Sequence, residues 1–204
     1  MKLQIRLFIL ALVLAITSAA PSFAADKAPS EGKTYKPDPR RTNDNTYDER
    51  SIIQVTSDAL GAGSGAVAKV VEKVFSDLGR PNGYIIGSEA SGAIVVGLRY
   101  GAGTLTHKVE GSQRVFWTGP SVGFDLGGNA SRVVTLVYDL YDTEDLFHRY
   151  PAVEGSFYYI GGLGVNYNQR GHVILAPIRV GVGLRAGVNL GYISYSKKRH
   201  WMPF

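Results

Sequence analysis

The stretch HVILAPIRVGVGLRAGVNLGY, residues 172–192, decides the fold class of this chain. Every second residue in it is apolar: Ile174, Ala176, Ile178, Val180, Val182, Leu184, Ala186, Val188, Leu190 and Tyr192. The residues between them include four glycines, Arg179 and Arg185. Because side chains alternate between the two faces of a β-strand, this period of two predicts β-structure with an apolar face and a glycine–arginine face. The stretch exceeds an ordinary strand, so we expect a bend near Gly181 or Gly187.

Glycines separated by short apolar segments extend over most of the chain. Of the 25 glycines, 20 lie between Gly83 and Gly191, separated by short segments rich in Val, Ile, Tyr and Phe. Glycine inside strands is typical of bends and of places where backbones approach closely. The fold class that we predict is mainly β, a small antiparallel β-barrel of many short glycine-rich strands. Pattern alone leaves open whether the apolar face of 172–192 fills the barrel or faces something outside it.

A helix is predicted ahead of the strands, over about residues 66–78. Apolar residues recur there at spacings of three and four: Val67, Val70, Val71, Val74, Phe75 and Leu78. Charged residues take the other face, and Gly79 followed by Pro81 marks the end. We expect this amphipathic helix to pack on the barrel.

The N-terminus is typical of a secretory signal peptide. Lys2 and Arg6 precede the apolar run 7–16, which falls short of the roughly 18 apolar residues of a spanning helix. We predict a signal peptide over 1–24 with cleavage after Ala24, a disordered lead-in over 25–50 that is polar and proline-containing, and a single helix-plus-barrel domain over 51–204. The predicted location is the periplasm.

Charge and composition exclude several classes of function. Removing the signal peptide leaves 20 Lys and Arg against 17 Asp and Glu, a net charge of +3, which gives no reason to expect a nucleic-acid partner. The chain has no cysteine and no paired histidines, so we predict no disulfide, metal site or cofactor. We interpret the basic run 197–200 as a solvated tail, with peripheral contact with anionic lipid headgroups as the alternative.

One motif invites a catalytic interpretation. Residues 119–123 spell G-x-S-x-G, the pattern around the nucleophile of a serine hydrolase, with Ser121 as the nucleophile. That motif requires a strand before the serine and a helix after it, and FDLGGNASRVV, residues 124–134, is not helical in pattern. We therefore interpret Ser121 as part of a bent strand, and a serine hydrolase remains only as an alternative function.

The candidate ligand-binding residues follow from the arginines on the glycine face. VGLRYG at 96–101 resembles VGLRAG at 182–187, and both place an arginine on that face. Asp125 and Asp139 lie in apolar runs, and the arginines are their obvious partners. The candidate site consists of Arg99, Tyr100, Trp117, Asp125, Arg179 and Arg185.

Several motifs together resemble one known family. They are GRPN at 79–82, VGLRYG at 96–101, FWTGPSVGFD at 116–125, LVY at 136–138, APIR at 176–179 and the ending Pro203-Phe204. Over roughly residues 47–204 the chain resembles the EipA envelope-integrity family of Gram-negative bacteria, periplasmic proteins once known only as a domain of unknown function. The resemblance implies a small periplasmic β-barrel with a helix, a role in maintaining the cell envelope, and no catalytic residues. The glycine-rich texture is more distantly similar to SYLF lipid-binding domains.

The function predicted from these observations is that of a periplasmic, non-enzymatic protein that maintains envelope integrity. We expect it to bind an envelope lipid or another envelope component, with an arginine near an anionic headgroup. An integral outer-membrane barrel is the first alternative, supported by the terminal Phe204 and the alternating strands. A hydrolase that uses Ser121 is the second.

Overall fold

The computed structural model describes residues 44–125, 130–180 and 191–199; in 91–96 and 121–125 only the backbone is described. Two helices come first, α1 (Glu49–Leu60) and α2 (Ser64–Leu78). The strands within those ranges are β1 (Gly83–His107), β2 (Gly111–Asp125), β3 (Ser131–Tyr138), β4 (Arg149–Pro151), β5 (Tyr158–Ile160), β6 (Leu163–Val165), β7 (Asn168–Arg170), β8 (Val173–Val180) and β9 (Tyr192–Ser196). A short 3-10 helix, Thr143–Leu146, precedes β4. The fold is mainly β, as predicted.

The strands form one antiparallel sheet that curls into a half-barrel. Their order is β4-β9-β2-β1-β3-β8-β6-β5, and β7 pairs with β8 beside β6. The two sides of the curled sheet meet at one place, where Ala152 forms a β-bridge with Asn168. Next to that bridge, the amide of Val153 donates to the carbonyl oxygen of Tyr167 at 2.9 Å. Neighbouring β4 and β7 therefore close the barrel at this point.

Strand β1 is long enough to bend back across itself, and glycines permit the crossing. A Cβ atom at Gly103 would lie 2.4 Å from the carbonyl oxygen of Ile86 and 2.9 Å from the Cα of Gly87. A Cβ at Gly87 would lie 2.4 Å from the carbonyl oxygen of Ala102. Since these contacts are with backbone atoms, no side-chain rotation can relieve them. The two halves of β1 come this close because neither carries a side chain at the crossing.

The expectation of many short strands is wrong for β1 and β2. The segments at 84–87, 93–100 and 103–107 all belong to β1, which runs for 25 residues, and those at 113–119 and 122–125 belong to the 15-residue β2. Gly97, Gly101 and Gly103 lie inside β1, and Gly119 lies inside β2. They do not interrupt the ladder because β1 and β2 pair without a break from Ala93 opposite Asp125 to His107 opposite Gly111.

The described part of the 172–192 stretch settles which face points inward. Ile174, Ala176 and Ile178 pack in the cluster that contains the buried residues of α1 and α2. Val173 and Leu175 belong to a second cluster enclosed by the sheet, which we call the barrel core. The apolar even face therefore lies against the helices, and the odd face, which includes Arg179, lies on the barrel side. The bend predicted near Gly181 or Gly187 falls outside the described residues.

The predicted helix is confirmed as α2, but α1 was not predicted. Helix α1 begins after Asp48, whose carboxylate accepts hydrogen bonds from the amide and hydroxyl of Ser51 at 2.9 and 2.7 Å. It buries Ile52, Thr56 and Leu60, one residue per turn. Placing residues 44–50 in a disordered lead-in is also wrong. Thr46 is buried, and the amide of Tyr47 donates to the carbonyl oxygen of Pro81 at 2.8 Å.

The helix-side cluster gives a first testable prediction. Val70 is fully buried on α2. Val70→Ala should lower the free energy of unfolding by about 2 kcal/mol, from lost burial of two carbons plus the cavity that remains. Lys69→Ala, on the exposed face of the same turn, should change it by less than about 0.5 kcal/mol. Urea unfolding followed by circular dichroism measures both; equal effects would contradict this packing.

No helix within the described part of the chain is both long and apolar enough to cross a membrane.

Candidate functional site

A group of charged side chains lies at one end of the barrel, centred on Glu89. Glu89 is in the first half of β1 and Arg99 in the second, Trp117 is in β2 and Arg179 in β8. These four residues are called the Glu89 cluster below. They meet because the bend in β1 brings its two halves together and because β8 follows β3 across the sheet, with Arg179 opposite Val133.

Arg179 is the main partner of the carboxylate. Its Nε donates to Oε1 of Glu89 at 3.1 Å and its Nη2 to Oε2 at 3.3 Å, which is a two-point contact. Its Nη1 donates to Oδ1 of Asn166 at 3.1 Å. Asn166 in turn donates to Oδ1 of Asn168 at 2.9 Å. Two-point guanidinium–carboxylate contacts fix both groups in plane, so Arg179 holds Glu89 in place.

Trp117 provides a third donor to the same carboxylate. Its Nε1 donates to Oε2 of Glu89 at 2.8 Å, and the residue is 1% exposed. The indole lies directly against the backbone of β1, since a Cβ atom at Gly101 would be 2.0 Å from its Cε2 atom. Tyr195 packs on the other side, with the ring centres 5.8 Å apart. The position of the indole thus depends on glycine at 101.

Arg99 is held much less tightly. Its Nη1 lies 3.9 Å from Oε1 of Glu89, and its Nε donates to the carbonyl oxygen of Pro120 at 2.9 Å. The exposed fractions of the Arg99 and Arg179 side chains are 18% and 14%. Among the side chains that the structure describes, the cluster therefore contains two guanidinium groups and one carboxylate. This is one positive charge in excess at a largely buried position.

The pKa values reflect this arrangement. Burial raises the pKa of Glu89, but the charges of Arg179 and Arg99 and the hydrogen bonds from Arg179 and Trp117 outweigh it, so the pKa is lowered overall. Burial and the neighbouring charge of Arg179 lower the pKa of Arg99. Burial raises the pKa of Tyr195 to about 12. Glu89 is thus ionised at neutral pH, and the surroundings of Arg99 disfavour its charged form.

Three of the six predicted site residues meet in the cluster: Arg99, Trp117 and Arg179. Tyr100 does not join them, because it follows Arg99 in a strand and so lies on the opposite face of β1. Asp125 ends β2 opposite Ala93, and its side chain is not described. Arg185 lies outside the described residues.

Sequence analysis missed Glu89, the residue at the centre of the cluster. We expected an aspartate to pair with the arginines. Asp139 does not join the cluster: it follows β3 with a φ of 56° and accepts a hydrogen bond from the hydroxyl of Tyr141 at 3.0 Å. The sequence did hold one indication of its position. Alternate residues of a strand share a face, so Glu89 lies on the same face of β1 as Gly87.

The backbone around Ser121 does not match a hydrolase. Ser121 lies inside β2, opposite Gly97, and the strand continues to Asp125. The nucleophile motif requires a sharp turn from a strand into a helix at the serine. The matching letters at 119–123 are therefore part of a continuous strand, as the sequence analysis interpreted them.

His107 is buried and has a structural role. The imidazole of His107 accepts a hydrogen bond at Nδ1 from the amide of Glu110 at 3.0 Å, so its Nε2 carries the proton that binds the carbonyl oxygen of Leu140 at 2.8 Å. Within residues 44–125, 130–180 and 191–199, no three metal-ligating side chains come together in a way that could hold a metal ion.

Comparison with known proteins identifies the family. The family model described as EipA, Envelope integrity protein A, matches residues 45–204. The chain belongs to the EipA family. A solved structure of a β-barrel-like, uncharacterized protein from Brucella abortus is 48% identical to this EipA-family chain, covers 78% of it and 99% of its own length, and superposes with a TM-score of 0.72. None of the curated proteins matches. The resemblance and the barrel predicted from the sequence are both confirmed, and neither comparison indicates a catalytic activity.

Proposed function

We propose that this protein is a non-enzymatic periplasmic protein that supports envelope integrity by binding an envelope lipid through its anionic headgroup. The family name indicates the envelope, and the signal peptide predicted over 1–24 would direct export. The Glu89 cluster is the ligand site in this proposal, and Arg99 is the residue that contacts the anion.

The observation that carries the proposal is the excess guanidinium in the cluster. Arg179 has a fixed role, since it donates to Glu89 and Asn166 through all three nitrogens. Arg99 has one hydrogen bond to a carbonyl oxygen and a 3.9 Å contact with the carboxylate. Desolvating a charge is costly unless an opposite charge compensates it. A phosphate or carboxylate beside Arg99 would supply that compensation.

The test is a titration of the protein with short-chain phosphatidylglycerol, in which calorimetry measures the heat of binding. The wild-type protein should bind it, and Arg99→Gln should weaken binding about tenfold or more, because a hydrogen bond to a charged group contributes roughly 1.5–3 kcal/mol. Glu89 keeps Arg179 and Trp117 in this variant, so it should remain folded. Arg50→Gln, an exposed change on α1, is the matched control and should bind like the wild type.

Two results would contradict the proposal. The first is no binding to wild-type protein of normal circular dichroism, and the second is equal affinity for the wild-type and Arg99→Gln proteins. Titration with inorganic phosphate separates the possible sources of the anion. If the protein binds inorganic phosphate as tightly as phosphatidylglycerol, the site recognises a free anion, and the proposal that its ligand is a lipid is refuted.

A further inference from the structure

The helix–strand contacts of the described residues lie on one side of the half-barrel. Helices α1 and α2 contact β3, β5 and β6. On the other side of the barrel, β1, β2, β9 and β4 lie next to one another. Their barrel-core residues include Leu105, Val115, Trp117, Tyr150, Ile193 and Tyr195. The residues that alternate with these point to the outside.

The outward positions form a surface that we call the outer face. They are Leu98, Tyr100, Ala102, Thr104 and Thr106 in β1, Ser112, Arg114, Phe116, Thr118 and Pro120 in β2, Tyr192, Ser194 and Ser196 in β9, and Arg149 and Pro151 in β4. None of these described positions holds an Asp or Glu. Register aligns Arg149, Ser194, Thr118 and Tyr100 in one row across the four strands. The face is thus continuous, with apolar and hydroxyl side chains at its centre, where Thr118 is buried and Tyr100 and Phe116 are half-buried, and its charged side chains are arginines.

The basic groups lie beside aromatic rings. The guanidinium of Arg114 is 5.5 Å from the ring centre of Phe116, and that of Arg199 is 5.9 Å from the same ring. On β4, the guanidinium of Arg149 is 4.1 Å from the ring centre of Tyr192. Arg114 and Arg149 are exposed, and Lys198 follows β9 nearby. At the margin, Lys197 forms an ion pair with Glu144.

Aromatic rings next to basic groups fit the boundary between water and lipid. Tyr places an apolar ring at the depth of the headgroups, and arginine reaches from an apolar surface to the phosphates. A basic group near an anionic membrane surface contributes about 1 kcal/mol. A nucleic-acid partner is disfavoured because the chain has a net charge of only +5 and a mixed sign elsewhere. We infer that the outer face of β1, β2, β9 and β4 binds an anionic membrane surface.

This inference does not depend on the proposed ligand site. Arg99 and Tyr100 are neighbours in β1 and lie on opposite faces of the sheet. A protein that rests on a membrane through the outer face therefore uses none of the side chains of the Glu89 cluster. The predicted contact of the 197–200 run with lipid is part of the same surface through Lys198 and Arg199.

The experiment is co-sedimentation of the protein, purified as the cell processes it, with vesicles. Vesicles of phosphatidylcholine with phosphatidylglycerol should bind it, vesicles of phosphatidylcholine alone should not, and added salt should weaken binding. Arg114→Gln should lower the partition coefficient about fivefold, and Arg114→Gln combined with Arg149→Gln about 25-fold. Arg50→Gln combined with Lys69→Gln removes the same charge from the helices and should leave binding unchanged.

Three results would overturn the inference. The first is no sedimentation of the wild type with anionic vesicles, and the second is equal vesicle binding by the wild type and the outer-face double variant. The third is a loss of vesicle binding in the helix double variant as large as that in the outer-face double variant, which would mean that only total charge matters. Arg114→Gln combined with Arg149→Gln leaves Arg99, Arg179 and Glu89 in place, so this variant should bind short-chain phosphatidylglycerol in the titration like the wild type. A failure here therefore leaves the phosphatidylglycerol titration informative, and a failed titration leaves this test informative.

Discussion

Replacing Glu89 with glutamine is expected to lower the free energy of unfolding by about 3–5 kcal/mol, because removing one partner of a buried ion pair leaves the other charge uncompensated. Two guanidinium groups would then face each other without a carboxylate, and the two-point contact with Arg179 would be lost. For a domain of this size the melting temperature should fall by about 10 °C. Calorimetry or thermal circular dichroism measures the change.

Two further variants separate this effect from ordinary loss of an ion pair. Glu144→Gln breaks the exposed pair with Lys197, in which the side chains are 62% and 56% exposed, and should cost less than about 1 kcal/mol. Arg179→Met in the Glu89→Gln background removes the uncompensated charge and should restore part of the stability. If Glu89→Gln lowers the free energy of unfolding no more than Glu144→Gln does, the carboxylate of Glu89 is not part of a buried ion pair, and the structure of the cluster is contradicted.

The effect of Glu89 should also depend on pH. Its pKa is lowered in the folded protein, so the stability that it contributes is present above its unfolded-state pKa, about 4.3. That contribution is lost as the pH falls through the lower folded value. The difference in stability between wild-type and Glu89→Gln proteins should therefore shrink on acidification. A difference that stays constant from neutral to acidic pH would contradict the assigned ionisation.

The second large effect is expected at the crossing of β1. Gly103→Ala places a methyl group 2.4 Å from the carbonyl oxygen of Ile86, and the two halves of β1 must move apart to accept it. Overpacking of this kind typically costs about 1–3 kcal/mol, and we expect the upper end because the obstructing atoms are backbone. Urea unfolding measures the loss.

The control for this substitution is another Gly→Ala change with open space. Gly65 lies in the first turn of α2, and a Cβ atom there would meet nothing within 4 Å. Gly65→Ala should stabilise the protein by up to about 1 kcal/mol, because alanine favours a helix. Opposite signs for the two variants support the crossing, whereas a stabilising Gly103→Ala would refute it.

The alternation of apolar residues was sufficient to predict the fold class but not the direction of each face. In β8 the apolar side packs on the helices and the barrel core receives Val173 and Leu175. Both faces are buried there, so the local pattern holds no information on which is inside. Helix α1 was missed for a related reason: one of its three buried residues is Thr56, which weakens the apolar period.

The candidate site could be predicted only in part, because its contacts are distant in sequence. Arg99, Trp117 and Arg179 were found through their place on the glycine face and in the family motifs. Glu89 binds an arginine 90 residues away, and no local pattern connects the two. The sequence indicated that glycines in strands mark bends or close backbone approaches, but not that Gly87 and Gly103 approach each other. That information depends on how the strand bends in three dimensions.

The decisive measurement is mass spectrometry of lipid bound to the protein purified from cells without detergent, for the wild type and Arg99→Gln. We predict about one anionic lipid per wild-type molecule and about tenfold less, or lower still, on Arg99→Gln. A folded wild-type protein that carries no lipid, or the same lipid in the same amount on both proteins, would contradict it.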